Sequence, residues 1–297
     1  MTFCLGMKVE DGLVGIADTR VTTGVECTTA RKVSIHQHGR HSMFLMTSGL
    51  RSVRDKAVTY FDEAIGESDQ TFDKLFKAVN VFAAQIRRVA QEDKAALDRA
   101  GLIFDLHALV GGQLENDKEH KLYLIYPQGN WVEVSEGTPY CIIGETGYGK
   151  PLLDRVLRYH SSMDLALKAG FLAFDATRTS STIVEYPLDV VLYRHDTFDI
   201  IEHRFQKEDL GEISSWWQSR ICESVEKLPS KWVDRLLESL PRGTRTPPKS
   251  SSDTTCKPVK GILTQILILA NQARDRPKHM EVVPFSCRQL RQFPYLL

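Results

Sequence analysis

The sequence predicts an α+β protein built as a four-layer α-β-β-α sandwich. Three observations lead there. Strand-like segments come in contiguous blocks instead of alternating singly with helices, which argues against a doubly wound parallel sheet and for stacked antiparallel sheets. Helical segments come in pairs between those blocks. Their apolar residues recur at three- and four-residue spacing, so each helix offers one face to a sheet and another to water.

In Thr2 to Val9 the apolar Phe3, Leu5, Met7 and Val9 alternate with Thr2, Cys4, Gly6 and Lys8, the period of a strand. Asp11-Gly12 is a hairpin signal. Leu13 to Ala17 is a continuous apolar run ending at Asp18, as a strand buried on both faces would read. Arg31 to Ile35 and Ser42 to Met46 read as two more strands around a polar, His-rich turn. Two helices follow. One, over Leu50–Ile65, carries Leu50, Val53, Ala57, Phe61 and Ala64 on one face; the other, over Thr71–Ala90 with Thr71 as N-cap or first-turn residue, carries Phe72, Leu75, Phe76, Val79, Phe82, Ile86 and Val89. Strands return at Leu102–Val110, Lys121–Tyr126, Trp131–Val134 and Tyr140–Ile143. A helical region over Pro151–Phe174 breaks near Ser161-Ser162. Strands are then expected at Ser181–Val184, Asp189–His195 and Phe198–Arg204, and a last amphipathic helix over Leu210–Val225. Trp216-Trp217 and Trp232 are expected to pack that helix or a subunit contact.

This organisation implies a domain over residues 2–238 and a different segment over 241–297. Pro241 to Lys260 is rich in Pro, Ser, Thr and Lys and reads as a linker. From Pro241 onward about ten Lys or Arg face three acidic residues. This basic extension is expected to be loosely ordered, with a short helix near Gly261–Ala273.

The formal net charge is zero, so neither nucleic acid nor an anionic membrane is expected as a partner. Cys4, Cys27, Cys141, Cys222, Cys256 and Cys287 lack CxxC spacing and read as reduced thiols. No basic region precedes an apolar stretch at the N-terminus, so no signal peptide is expected. The longest apolar run, Gly261–Ala270, falls short of the roughly 20 residues that span a bilayer. The expectation is a cytoplasmic protein without cofactor or metal.

Chemistry gathers in the opening strands. If Met1 is removed, Thr2 carries a free α-amine and a hydroxyl on one residue, a general base and a nucleophile together. The amine suits the task because its ordinary pKa is about 8. Asp18 ends a strand that the hairpin pairs beside Thr2, and Lys32 lies on the next strand. An ammonium near Thr2 would favour the alkoxide, and a carboxylate between them would orient the lysine. Taken singly, Lys32 also reads as a solvated charge and Asp18 as a turn residue. Gly49, after Ser48, can bring a backbone N–H close to a substrate, as an oxyanion donor requires, or can be a tight turn at a helix start. Two decoys are set aside. Gly144 to Lys150 has the strand-to-helix context of a phosphate loop, yet Pro151 stands where a magnesium-binding hydroxyl is needed. His36, His38 and His41 lack an acidic or cysteine partner nearby and read as a polar hairpin tip rather than a metal site.

The ordered set of motifs resembles the Anbu family, proteasome-like N-terminal-nucleophile (Ntn) hydrolases of bacteria. It comprises Thr2-Phe3-Cys4-Leu5-Gly6-Met7-Lys8, Ala17-Asp18-Thr19-Arg20, Thr47-Ser48-Gly49, Val110-Gly111-Gly112-Gln113, Tyr126-Pro127-Gln128-Gly129-Asn130, Ile143-Gly144-Glu145 with Tyr148-Gly149-Lys150-Pro151, and Phe174-Asp175 through Ser180 to Pro187-Leu188-Asp189. These pieces are collinear and span roughly residues 2–235. The resemblance implies that Thr2 is the nucleophile, that Asp18 and Lys32 tune it, that Asp175 and Ser180 hydrogen-bond around the terminal amine, and that Gly49 supplies the oxyanion hole. It implies amide hydrolysis through an acyl-enzyme, a peptide or unfolded protein as substrate, and a homo-oligomeric ring or open spiral. Ala176 departs from the Asp-Ser-Thr usual in the family, and Leu50 from the usual asparagine. The leading expectation is a threonine peptidase; the alternatives are an assembling scaffold subunit with little or no peptidase activity, or an amidase acting on small amides.

Overall fold

The computed structural model describes residues 2–23, 26–67 and 72–240. Met1, Thr71 and the extension from residue 241, with its expected linker and short helix, lie outside the described residues.

Alternating and wholly apolar segments became strands for the same reason: their backbones pair while their side chains fill the layers above and below. The strands β1 (Phe3–Val9) and β2 (Gly12–Asp18) are buried at every position. They form the centre of a five-stranded sheet with β10 (Tyr140–Gly144), β11 (Leu188–Arg194) and β12 (Ile200–Phe205), in the order β10-β1-β2-β11-β12. A second five-stranded sheet runs β5 (Val33–His38), β6 (His41–Gly49), β7 (Leu106–Gln113), β8 (Lys121–Ile125), β9 (Trp131–Glu133). Every pairing in both sheets is antiparallel.

The two sheets share a core. Cys4, Leu13, Ala17 and Tyr193 from the first meet Val33, Phe44, Met46, Leu109 and Leu122 from the second. Helices close the outer faces. α1 (Arg51–Glu67) and α2 (Leu75–Arg99) pack Val53, Phe61, Val79, Phe82 and Ile86 against the second sheet. α3 (Lys150–Val156) and α4 (Met163–Ser180) pack Leu153, Ala166, Ala173 and Phe174 against the first. This is the four-layer α-β-β-α sandwich. The fully buried Phe3, Phe44, Phe82 and Phe174 pin its layers, each contributing on the order of 1.5–3 kcal/mol.

Several elements differ from expectation. A short hairpin of β3 (Arg20–Thr23) and β4 (Glu26–Thr29) follows Asp18; it is rich in Thr but has no apolar alternation to announce it. β5 starts at Val33, so Lys32 precedes the strand. α2 continues to Arg99 because residues 91–99 are good helix formers joined by the Lys94–Asp98 pair, although their apolar stripe has faded. The strand expected at Ser181–Val184 is absent: α4 runs through Ser180, and Ser181 N–H caps it on Thr177 O at 2.8 Å. Cys4 and Cys141 are free thiols, whereas Cys222 is disulfide-bonded, against the expected set of reduced cysteines.

The described residues fall into two units that meet in sequence at Arg220 and Ile221. The sandwich belongs to the first. The last helices are α5 (Lys207–Glu226) and α6 (Lys231–Glu238). Trp216 on α5 and Trp232 on α6 are each more than half exposed, so neither is buried by its own helix. None of the described helices is long and apolar enough to cross a membrane.

Candidate active site

Three neighbouring strand ends bring the chemistry together. Thr2 stands immediately before β1, and its carbonyl accepts the Glu145 N–H at 2.7 Å. Gly144, which pairs with Phe3, makes that approach possible. It has φ +90, and a Cβ there would lie 2.0 Å from Thr2 O, so a side chain at this position would push the Thr2 backbone away.

Register sets the next partner. Cys4 pairs with Ala17, which carries Asp18 to the Thr2 end of β1. Asp18 is itself paired with Leu188 on its other side. Thr19 anchors the turn by donating both its N–H and its hydroxyl to Pro187 O, at 3.1 and 2.9 Å. Lys32 arrives from the opposite sheet: its carbonyl accepts Thr47 N–H at 3.2 Å, while Nζ reaches across to Asp18.

The result is a convergence on one atom. Asp18 Oδ1 accepts from Thr2 Oγ1 at 2.7 Å, from Phe3 N–H at 2.8 Å and from Lys32 Nζ at 2.5 Å. Asp18 Oδ2 accepts Arg20 N–H at 3.2 Å, and Lys32 Nζ also donates to Arg20 O at 2.7 Å. Thr2 is 4% exposed, Lys32 6% and Asp18 0%. Neither charge could be held so far from water without the other. A hydroxyl whose oxygen shares a carboxylate with an ammonium is oriented, and any alkoxide formed there meets a fixed cation in a weakly screening environment.

The thiol next door is inert. Burial above all pushes the Cys4 thiol up to about 12; Asp18 adds to this, while Lys32, Thr2 and Arg54 oppose it. Cys4 Sγ donates weakly to Thr47 O at 3.7 Å. Protonated and buried, it does not compete with the hydroxyl as a nucleophile.

Gly49 ends β6, two residues beyond Thr47, which touches both Lys32 and Cys4. It therefore lies at the same end of the sheets as Thr2. Its φ is +140, and a Cβ would lie 2.2 Å from Asp105 O. Asp175 lies on α4 with 7% exposure. Its Oδ1 accepts from Arg178 Nη2 at 2.8 Å and from Ser214 Oγ at 2.7 Å. Ser180, the exposed last residue of α4, makes no side-chain hydrogen bond with the described residues. The structure thus joins Thr2, Asp18 and Lys32 directly, and gives Asp175 partners other than Ser180. Arg178 was readable in principle, because positions i and i+3 share a helix face. The Arg20 carbonyl, the Glu145 N–H and Ser214 left no sequence signal, since each depends on where another segment folds.

Elsewhere, Lys150 of the phosphate-loop-like segment is bound to Tyr140 Oη at 3.1 Å and Asp154 Oδ1 at 3.0 Å. Beside it lies a shallow cleft of about 540 Å³ lined by Thr146, Gly147, Lys150, Pro151, Asp154 and Arg155. Among the described residues no three His, Cys, Asp or Glu side chains converge as a metal site.

No family model matches the chain, and no curated protein matches it. Solved structures do. The chain is similar to the Anbu (Gly-1) mutant from Hyphomicrobium sp. strain MC1, with 29% identity and a TM-score of 0.71 over 77% of this chain and 99% of that one. It is similar to Anbu (ancestral beta-subunit) from Yersinia bercovieri, with 28% identity and a TM-score of 0.71 over 76% and 97% of the two chains. The helical assembly of the Anbu complex from Pseudomonas aeruginosa gives 28% identity and a TM-score of 0.72 over 77% and 97%. Fold, ordered motifs and these likenesses together support the resemblance to the Anbu family, and the chain shares the proteasome-subunit-like architecture of these structures.

Proposed function

We propose that the chain is a threonine-type peptidase that acylates its own Thr2 once Met1 has been removed. The observation that supports this most strongly is the triple convergence of Thr2 Oγ1, Phe3 N–H and Lys32 Nζ on Asp18 Oδ1. In the proposed reaction the α-amine of Thr2 takes the Oγ1 proton while Oγ1 attacks the peptide carbonyl. Lys32 stabilises the developing alkoxide, and Asp18 keeps both groups in line. The N–H of Gly49 receives the negative charge on the carbonyl oxygen. As the tetrahedral intermediate collapses, the amine returns its proton to the leaving nitrogen, and the acyl group remains as an ester on Thr2 Oγ1. Water, deprotonated by the same amine, then releases the acid. Asp175 and Ser180 are assigned to hydrogen-bonding around the amine.

Peptides or unfolded proteins in the cytoplasm are the proposed substrates. The proposed assembly is a homo-oligomeric ring or open spiral, supported by the helical assembly of the P. aeruginosa Anbu complex. Residues 2–238 form the proposed catalytic domain, and 241–297 an appended basic extension. The test is intact mass of the purified chain with and without an electrophilic peptide probe. The expected result is loss of Met1 and one adduct per chain, abolished by Thr2→Ala. Retained Met1 acylates the required amine, and an adduct that survives Thr2→Ala points to another nucleophile. Either result would overturn the Thr2 reading, and retained Met1 would leave the assembling scaffold as the better one.

A further inference from the structure

The least expected feature near Thr2 is the cation that occupies Asp175. α4 runs antiparallel to β1. A Cβ on Gly170 would meet Met7 and Ile16, with Leu5 next nearest, whereas one turn later Phe174 packs its ring on Phe3, 6.1 Å between centroids. Four helical residues rise about 6 Å, close to two strand residues. The turn after Phe174 therefore lies level with Thr2 and its amine. A second line of contacts agrees. The Arg178 guanidinium sits 5.4 Å over the Tyr186 ring, which packs on Phe174 at 5.0 Å. Tyr186 directly precedes Pro187, the residue that anchors Thr19 beside Asp18.

At that level Asp175 Oδ1 takes both of its bonds, from Arg178 and Ser214, and Oδ2 has no hydrogen-bond partner among the described residues. We propose that Arg178 is a positioning residue for the catalytic amine: it aims and neutralises the Asp175 carboxylate, so that Oδ2 faces the Thr2 amine without trapping it as ammonium. This inference rests on the peptidase reading for its consequence. A general base must be neutral to work, and an uncompensated carboxylate nearby favours the ammonium. The Arg178 charge offsets that pull. The other ionisable groups around the same end are Asp18 on β2, Arg20 on β3, Lys32 ahead of β5, Cys4 on β1, Arg54 on α1, Glu145 after β10, and Glu185 and Tyr186 ahead of β11. Of these, Glu185 lies 3.9 Å from Arg178 Nη1 and shares its charge, while none holds Asp175 by a hydrogen bond within the described residues.

The sign is definite. Arg178→Gln removes the cation from Asp175, leaving only the neutral Ser214 donor, and raises the amine pKa; Asp175→Asn leaves Arg178 facing only Glu185 Oε1, 3.9 Å from Nη1, and lowers it. Arg178→Lys keeps the charge, and Ser214→Ala removes only a neutral donor. The experiment exposes Thr2 as the N-terminus of the full chain and follows the pH dependence of its acylation by a small anhydride, read by mass of the N-terminal peptide. The expected midpoint moves up by about half a pH unit or more in Arg178→Gln and down in Asp175→Asn, and stays near wild type in Arg178→Lys and Ser214→Ala. Coincident midpoints in wild type, Arg178→Gln and Asp175→Asn would overturn the proposal. If Arg178→Gln does not fold, the Asp175→Asn midpoint decides alone. Peptide turnover, measured on the same preparations, tests the peptidase reading separately, because the amine titrates whether or not a peptide is cut.

Discussion

Lys32→Met is the most informative single perturbation. It keeps most of the apolar stem and removes the ammonium, breaking the bonds of 2.5 Å to Asp18 Oδ1 and 2.7 Å to Arg20 O. Asp18 is then a wholly buried carboxylate with no salt-bridge partner among the described residues. Losing one member of a buried pair costs about 3–5 kcal/mol, mostly because the survivor stays charged and dry. Asp18 keeps its bonds from Thr2 Oγ1, Phe3 N–H and Arg20 N–H, which places the expected loss near the lower end, about 3 kcal/mol. Asp18→Asn should strand Lys32 in the same way. The double variant leaves neither charge of this pair buried, so its loss should be smaller than the sum of the two single losses by more than about 1 kcal/mol. Urea unfolding at neutral pH reads all four proteins. Single variants within about 1 kcal/mol of wild type, or strict additivity, would refute the view that the ion pair is buried and mutually dependent.

Other consequences follow from the same geometry. Gly144→Ala should displace the Thr2 carbonyl, since its Cβ would lie 2.0 Å away; we expect lost probe labelling with a stability loss of about 1–3 kcal/mol, and full labelling would show that Thr2 does not need this contact. His120 is buried, and burial lowers its pKa from the ordinary 6.5 to about 4, against a supporting bond to Val9 O and alongside repulsion from His195. Its folded pKa is the depressed one, so the contribution is present above about 6.5 and is lost as the pH falls through about 4; it amounts to roughly 3 kcal/mol. His120→Gln should flatten the fall in urea midpoint between those pH values, and an unchanged slope would assign the acid sensitivity to other groups.

How much of this was legible depends on whether the signal was local. β1 and β2 were readable because period-two alternation, a hairpin dipeptide and a run such as Leu13–Ala17 each sit within a few residues. The placement of Asp18 beside Thr2 followed from that hairpin alone. The β3–β4 hairpin was not readable, since Thr and charged residues form a strand only when a neighbouring edge receives them. The end of α2 was missed because helix propensity outlasted the buried stripe. Lys32 showed the limit most plainly: the sequence places it near a strand start, but only sheet stacking brings Nζ to Asp18. For Asp175, the resemblance supplied a role while the fold supplied the partners, Arg178 and Ser214.

The origin of these three residues explains why the site sits inside the core and not on a loop. Thr2, Asp18 and Lys32 all lie in the first 32 residues, yet the third belongs to the opposite layer. Pairing β1 with β2 can form the Thr2–Asp18 half locally. The Lys32 half forms only when Phe44 and Met46 close over Cys4, Leu13 and Ala17 between the sheets. Before that closure Asp18 remains accessible to water and has no fixed cation to share with the hydroxyl. Stacking therefore dehydrates the carboxylate and delivers its counter-charge in one step, which avoids the cost of burying either alone. The same bonds then serve stability and orientation together. A substitution that weakens the packing between the sheets should disturb Thr2 even where it touches none of the three residues, because the distance Lys32 must span is set by that core.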